Sequence, residues 1–221
     1  MYEWDFSWVM TYKFQLLKSF LVTLLLNFTI LGIGSIGGLV IALLSFRKNY
    51  LCIGFVQLYV MIFRALPVLV MLVWVFFCVP VLFGGIRISA FVTAVIVLSL
   101  NLSAFVAEII RAGMSAVPKI HIESALAVGF SKRQTVRFIT LPIAFRIILP
   151  PLVGQYINSI KLSVLASVIA VPELLNRTSD IISQTYRPLE FYTVLAIFFL
   201  IILVPGTLWA KHLEKKAKLI H

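Results

Sequence analysis

Four stretches of this chain carry no charged residue and are each long enough to cross a lipid bilayer: Ser19–Phe46, Ala65–Ile86, Ile88–Ala107 and Phe191–Ala210. A helix needs about 20 apolar residues to traverse the hydrocarbon layer. A fifth stretch, Ile147–Pro172, is equally apolar but contains Lys161 and the pair Pro150-Pro151. That composition predicts a span whose helix is irregular at its start. The chain is 62% hydrophobic and only 12% charged, whereas a soluble domain is about 45–50% apolar and about 25% charged. No water-soluble core absorbs that much apolar surface. The expected fold is therefore all-α, a polytopic membrane helix bundle of about five transmembrane helices forming one domain over residues 1–221. Its spans are expected at residues 19–46, 51–82, 88–112, 145–172 and 191–210.

A formal net charge of +11 does not point to nucleic acid, because the basic residues lie between apolar runs rather than along one polar face. They report topology instead, since Lys and Arg concentrate in short cytoplasmic loops. With the N-terminus outside, the inside segments hold 12 Lys and Arg, among them Lys48, Lys216 and Lys218, and the outside segments hold 5. Arg64 and Lys161 lie within apolar segments. The bias predicts an external N-terminus and a cytoplasmic C-terminus. Glu3 and Asp5 stand where a secretory signal would be basic, so Met1 is expected to begin the mature chain. Cys52 and Cys78 have no CxxC or Cys/His spacing, which predicts neither a disulfide nor a metal site. Gly34 and Gly38, four apart in the first span, allow close approach of a neighbouring helix.

The least apolar stretch is the loop at residues 113–145 between the third and fourth spans, and its pattern predicts a cytoplasmic helix-turn-helix. Ser115 is expected to cap a first helix with Pro118 near its first turn. Ile122, Ala125 and Leu126 then fall on one face. Gly129 stops that helix, and Ser131 with Gln134 forms a capping box that opens a second helix running toward Pro142. Such a pair serves as a folded connector as readily as a docking element.

The residues Glu123-Ser124-Ala125, then Gly129, then after nine residues Ile139-Thr140-Leu141-Pro142, resemble the EAA loop of ABC importer permeases. Ser124 replaces the usual middle alanine. Ala107-Glu108-Ile109-Ile110-Arg111-Ala112-Gly113 and Leu141-Pro142-x-Ala144-Phe145-Arg146 are similar to the polar amino-acid members of that family in particular. Phe63-Arg64-Ala65-Leu66-Pro67 resembles their Phe-Arg-Gly-Thr-Pro element with two replacements. Lys161-Leu162-Ser163-Val164-Leu165 corresponds to a Lys-Asp-Thr-Ser-Leu element and departs from it at three positions.

The resemblance implies a type I importer permease in the bacterial inner membrane, carrying a polar amino acid such as glutamate or aspartate. Glu123, Ser124, Ala125, Gly129, Leu141 and Pro142 would couple to an ATPase. The chain itself contains no GxxxxGK[ST] phosphate loop, so ATP and Mg would be bound by that separate ATPase dimer and this chain would be no enzyme. A second permease subunit, identical or a sister, and an external substrate-binding protein complete the implied assembly.

Ionisable groups within spans cost a few kcal/mol or more unless paired or hydrated, which marks Arg64, Glu108 and Lys161 as substrate-path candidates, with Asn158 and Ser163 as hydrogen-bonding neighbours. Each has a structural alternative. Glu108 can pair with Arg111 one turn on, Arg64 and Lys161 can snorkel, and Asn158 and Ser163 can join helices. A haem-binding enzyme is excluded by His121, His212 and His221 all falling between spans. An ATP-independent channel and a purely structural membrane subunit remain as competing classes.

Overall fold

The computed structural model describes residues 2–47 and 49–218, with side chains through Lys215. Met1 and Lys48, and the side chains of Lys216 and Lys218 used in the charge comparison, lie outside the described residues. A short helix α1 (Ser7–Thr11) leads into α2 (Lys13–Ser45), the first span. The second apolar stretch is divided between α3 (Tyr50–Ala65) and α4 (Val68–Leu82), and α5 (Ala90–Ser115) is the third span. The loop carries α6 (Lys119–Ala127) and α7 (Lys132–Thr135). Then come α8 (Leu141–Ser163), α9 (Leu174–Thr185) and α10 (Pro188–Lys218). Four of these segments are long and apolar enough to cross a membrane, and the α3–α4 pair makes a fifth if it is one broken span.

That pair is bent by 99°, so the span expected at residues 51–82 is two helices rather than one. Proline is the cause. Leu66, the residue before Pro67, is extended at φ −76 and ψ 132, as the proline ring demands of its predecessor. Pro67 has no N–H to give to the carbonyl of Phe63 four residues earlier. The side-chain amide of Asn101, on α5, donates to that carbonyl at 2.7 Å. A buried polar residue of one helix thus satisfies the backbone group that the proline of another has freed.

α5 is the keel of the bundle, packed against α2, α3, α4 and α8. Glycines set its distance from α2. A Cβ at Gly34 would lie 2.7 Å from Leu102, and one at Gly38 would lie 2.5 Å from Val106. The pair singled out by its spacing is therefore an intramolecular contact. At the other end of α5, a Cβ at Gly113 would lie 2.2 Å from Ile148 of α8. The main core joins Leu26, Ile30, Leu72, Leu98, Leu102 and Ile169.

The fourth span departs from expectation at the opposite end from the one anticipated. α8 runs through Pro150 and Pro151 without a break, since helices in a packed bundle tolerate the lost donors. Irregularity comes later, as a 3₁₀ turn over Val164–Ile169 closed by Ala170 in the left-handed region at φ 59. α9 follows in what reads as an external loop. Glu173 caps it, accepting from the amides of Leu175 at 3.0 Å and Asn176 at 2.7 Å. Burial pushes the Glu173 carboxyl pKa up, against the lowering effect of those two amides. Leu174, Thr178 and Ile181 turn inward, one face of an amphipathic helix.

Replacing Asn101 with Ala leaves the Phe63 carbonyl buried without its donor. The expected cost is about 1–3 kcal/mol, read as a lowered midpoint of thermal unfolding of the full chain in detergent. An unchanged midpoint would mean that the α3–α4 break does not depend on this bond.

Candidate coupling loop and translocation path

The loop is built around a single backbone event. α6 starts at Pro118 without a side-chain cap, because Ser115 is the last residue of α5 and too far back to cap it. The expectation for Ser115 is corrected accordingly. At the other end Gly129 takes φ 95. Its amide donates to the Leu126 carbonyl and that of Phe130 to the Ala125 carbonyl, each at 3.0 Å. This is the Schellman arrangement, in which a left-handed residue lets two amides return to the last helical turn. Nothing lies within 4 Å of a Cβ built on Gly129. The position therefore requires glycine for its backbone, not for space.

The capping box forms as expected. The Gln134 side chain accepts from the Ser131 amide at 2.9 Å, and the Gln134 amide donates to the Ser131 hydroxyl at 3.4 Å. The second helix does not end at Pro142, however. It passes through a π turn over Val136–Thr140 and continues as α8. Pro142 cannot donate to Phe138, and the wider turn just before it accommodates the missing bond. Loop and fourth span are thus one helical rod from Lys132 to Ile169.

Ala125 is buried while Glu123, Ser124, Gly129, Leu141 and Pro142 are exposed. Ile122 is half-buried against Val117, Ala144 and Ile148, so Ile122 holds the loop to the bundle. Leu126, expected on the same face, is 42% exposed instead. Val128, Phe130 and Phe138 of the loop are exposed as well, as are its cations Lys119, Lys132, Arg133 and Arg137. Large apolar side chains left exposed among charged ones are the composition of a protein-docking surface.

The candidate path residues divide into two groups. Arg64 lies at the end of α3, next to the Leu66-Pro67 break, and its guanidinium stands 3.9 Å from the carboxylate of Glu108 on α5. Arg111 holds the same carboxylate through two bonds, at 2.6 and 3.1 Å. Arg64 also lies over the Phe105 ring, 5.2 Å from its centroid. These three charged groups line a cavity of about 420 Å³ with Gln57 and Ser45. Two cations and one anion leave one positive charge in excess there. Asn158 and Lys161 are exposed on α8, and Ser163 is buried with its hydroxyl donating to the Ile160 carbonyl at 2.8 Å. They do not line this cavity. Asn101, which the sequence does not single out, supports it from behind by fixing the backbone one residue before Arg64.

An all-α bundle whose described residues hold four helices long and apolar enough to cross a membrane, with a fifth if α3 and α4 are one broken span, is a polytopic membrane protein. Residues 34–219 match the family of binding-protein-dependent transport system inner membrane components, and the chain belongs to that family. It is 34% identical over 196 residues to the glutamine transport system permease protein GlnP of Escherichia coli K12, covering 85% of this chain and 88% of that one. It is 37% identical over 194 residues to the probable amino-acid ABC transporter permease protein YckA of Bacillus subtilis 168, covering 88% and 85%. Its fold superposes on a chain of an amino acid ABC transporter crystallised with histidines, with a TM-score of 0.88, 31% identity and coverage of 97% and 100%. The inward-facing MetNI methionine transporter shares the fold at a TM-score of 0.69 and 20% identity.

Proposed function

We propose that this chain is the membrane-spanning permease subunit of an ATP-binding-cassette importer that carries a polar amino acid across a bacterial inner membrane. The observation that carries the reading is the Gly129 hinge, because it holds exposed Glu123 and exposed apolar side chains at the end of a rod long and apolar enough to be a transmembrane span. A partner that moves the loop moves the span. The family membership and the amino-acid permeases among its relatives support the substrate class. The implied partners are an ATPase dimer that binds ATP and Mg, a second permease subunit, and a substrate-binding protein on the far side.

Orientation follows from the bias of 12 basic residues against 5, which sets the loop in the cytoplasm and the N-terminus outside. Cysteine labelling from either side of sealed vesicles tests it. A residue introduced at Ser183, between the fourth span and α10, is expected to react from outside only, and reaction from inside would reverse the orientation.

An amino-acid zwitterion requires one partner of each sign, and the cavity at Arg64, Glu108 and Arg111 offers both. Glu108→Gln keeps the shape and removes the anion. Uptake by the assembled complex is expected to fall while its subunits still copurify; unchanged uptake would take this cavity off the path.

The coupling role has its own test. Gly129→Val forces a β-branched residue into the left-handed region, where an L-residue costs about 1–2 kcal/mol, and Glu123→Lys reverses the charge of the exposed loop. Both variants should insert normally yet copurify less ATPase or lose substrate-stimulated hydrolysis. Undiminished binding and stimulation in both would reduce the loop to a connector and favour an ATP-independent channel or structural subunit.

A further inference from the structure

On the side of the membrane opposite the helix-turn-helix, the start of α2 and α9 enclose a cleft of about 430 Å³ lined by Gln15, Lys18, Ser19, Val22, Pro172 and Arg177. Its walls are fixed. The Leu174 amide donates to the Thr23 hydroxyl at 3.0 Å, and Leu174 and Ile181 are packed with Leu16 and Phe191 in a second apolar core. Lys18 has no ion-pair partner among the described residues. Arg177 pairs with Asp180 through one nitrogen at 3.2 Å, and a guanidinium has five N–H donors in all. Glu173 is turned away into the cap of α9. The Ser19 hydroxyl donates within its own helix, to the carbonyls of Gln15 and Leu16, both at 3.0 Å. The cleft therefore presents an ammonium, a guanidinium and the Gln15 amide against a single carboxylate.

Its position along α2 narrows the ligand. Lys18 immediately precedes the charge-free run that begins at Ser19, which sets it at the headgroup edge of the span. Leu21, Leu25 and Phe28 follow on the face that carries Lys18, at the spacing of one helical stripe. They are 58%, 59% and 71% exposed. A cationic cleft thus continues directly into an apolar track running toward the bilayer centre. We propose that this cleft binds the phosphate headgroup of an anionic phospholipid, whose acyl chain lies along Leu21, Leu25 and Phe28.

The inference does not depend on what the protein transports, and its test reads lipid rather than uptake. The full chain is purified in detergent with equimolar phosphatidylglycerol and phosphatidylcholine, and retained lipids are counted by native mass spectrometry. Wild-type protein is expected to retain phosphatidylglycerol preferentially. Lys18→Gln and Arg177→Gln should each lower that preference by about five-fold, the worth of one cation at an anionic lipid surface. Asp180→Asn should raise it by freeing Arg177. Lys18 is exposed and makes no side-chain hydrogen bond or ion pair among the described residues, so its variant remains informative if Arg177→Gln disturbs α9. Equal retention of the two lipids by wild-type protein would overturn the proposal, as would an unchanged preference in Lys18→Gln. Displacement of phosphatidylglycerol by inorganic phosphate would assign the cleft to a soluble anion instead and overturn it equally; persistence of the lipid in phosphate supports it.

Discussion

In hydrocarbon every backbone amide and carbonyl must find a partner within the protein, because there is no water to take its place. The bond from Asn101 to the Phe63 carbonyl is where this chain meets that demand at its least regular point. Pro67 breaks the second span and frees the carbonyl; α5 carries the amide that answers it. The same helix brings Glu108 to Arg64, and its small-residue contacts hold α2 and α8 close. The cavity at Arg64, Glu108 and Arg111, the break at Pro67 and the packing of Gly113 on α8 are thus all referred to α5.

The two charge clusters show why a bundle tolerates ionised groups. Glu108 is shared between two arginines rather than paired with one, so the carboxylate has three approaching nitrogens and neither cation is left with apolar neighbours alone. Near the N-terminus Glu190, which unlike Glu108 is fully buried, is satisfied differently. It accepts from the Tyr2 hydroxyl and the Asp5 amide and pairs with Arg187. The residues before α1 are thereby fastened to the beginning of α10, closing the chain on itself at that face.

Much of this architecture was legible because apolar length and helix punctuation are local properties. The charge-free runs and the apolar stretch around Lys161 coincide with the four long apolar helices and the bent α3–α4 pair, and Ser131, Gln134 and Gly129 announced their cap and turn by residue type and spacing. What escaped was set by contacts between distant segments. Nothing near Asn101 in sequence reveals that its partner is a carbonyl thirty-eight residues earlier. The pair Pro150-Pro151 looks like a break, yet packing on α5 and α10 carries α8 through it. Ser115 resembled a cap because the end of α5 could not be located from hydropathy once its residues turned polar. α9 was readable in principle, since Glu173 followed by Leu174, Thr178 and Ile181 is a capped amphipathic pattern, but its low apolar content hid it among loop residues.

The rod from Lys132 to Ile169 has a further mechanical meaning. Thirty-eight helical residues extend about 57 Å at about 1.5 Å each, with the hinge glycine just ahead of one end and the left-handed Ala170 just beyond the other. A continuous helical element with a left-handed residue beyond each end passes a tilt along its length to the extent that its π turn and its two prolines hold their angle. A tilt of about 5° imposed at the loop moves the far end by about 5 Å, roughly the pitch of one helical turn, without any bond within the rod having to yield. Exposed Lys161, near that far end, would sweep the widest arc of any charged residue on α8.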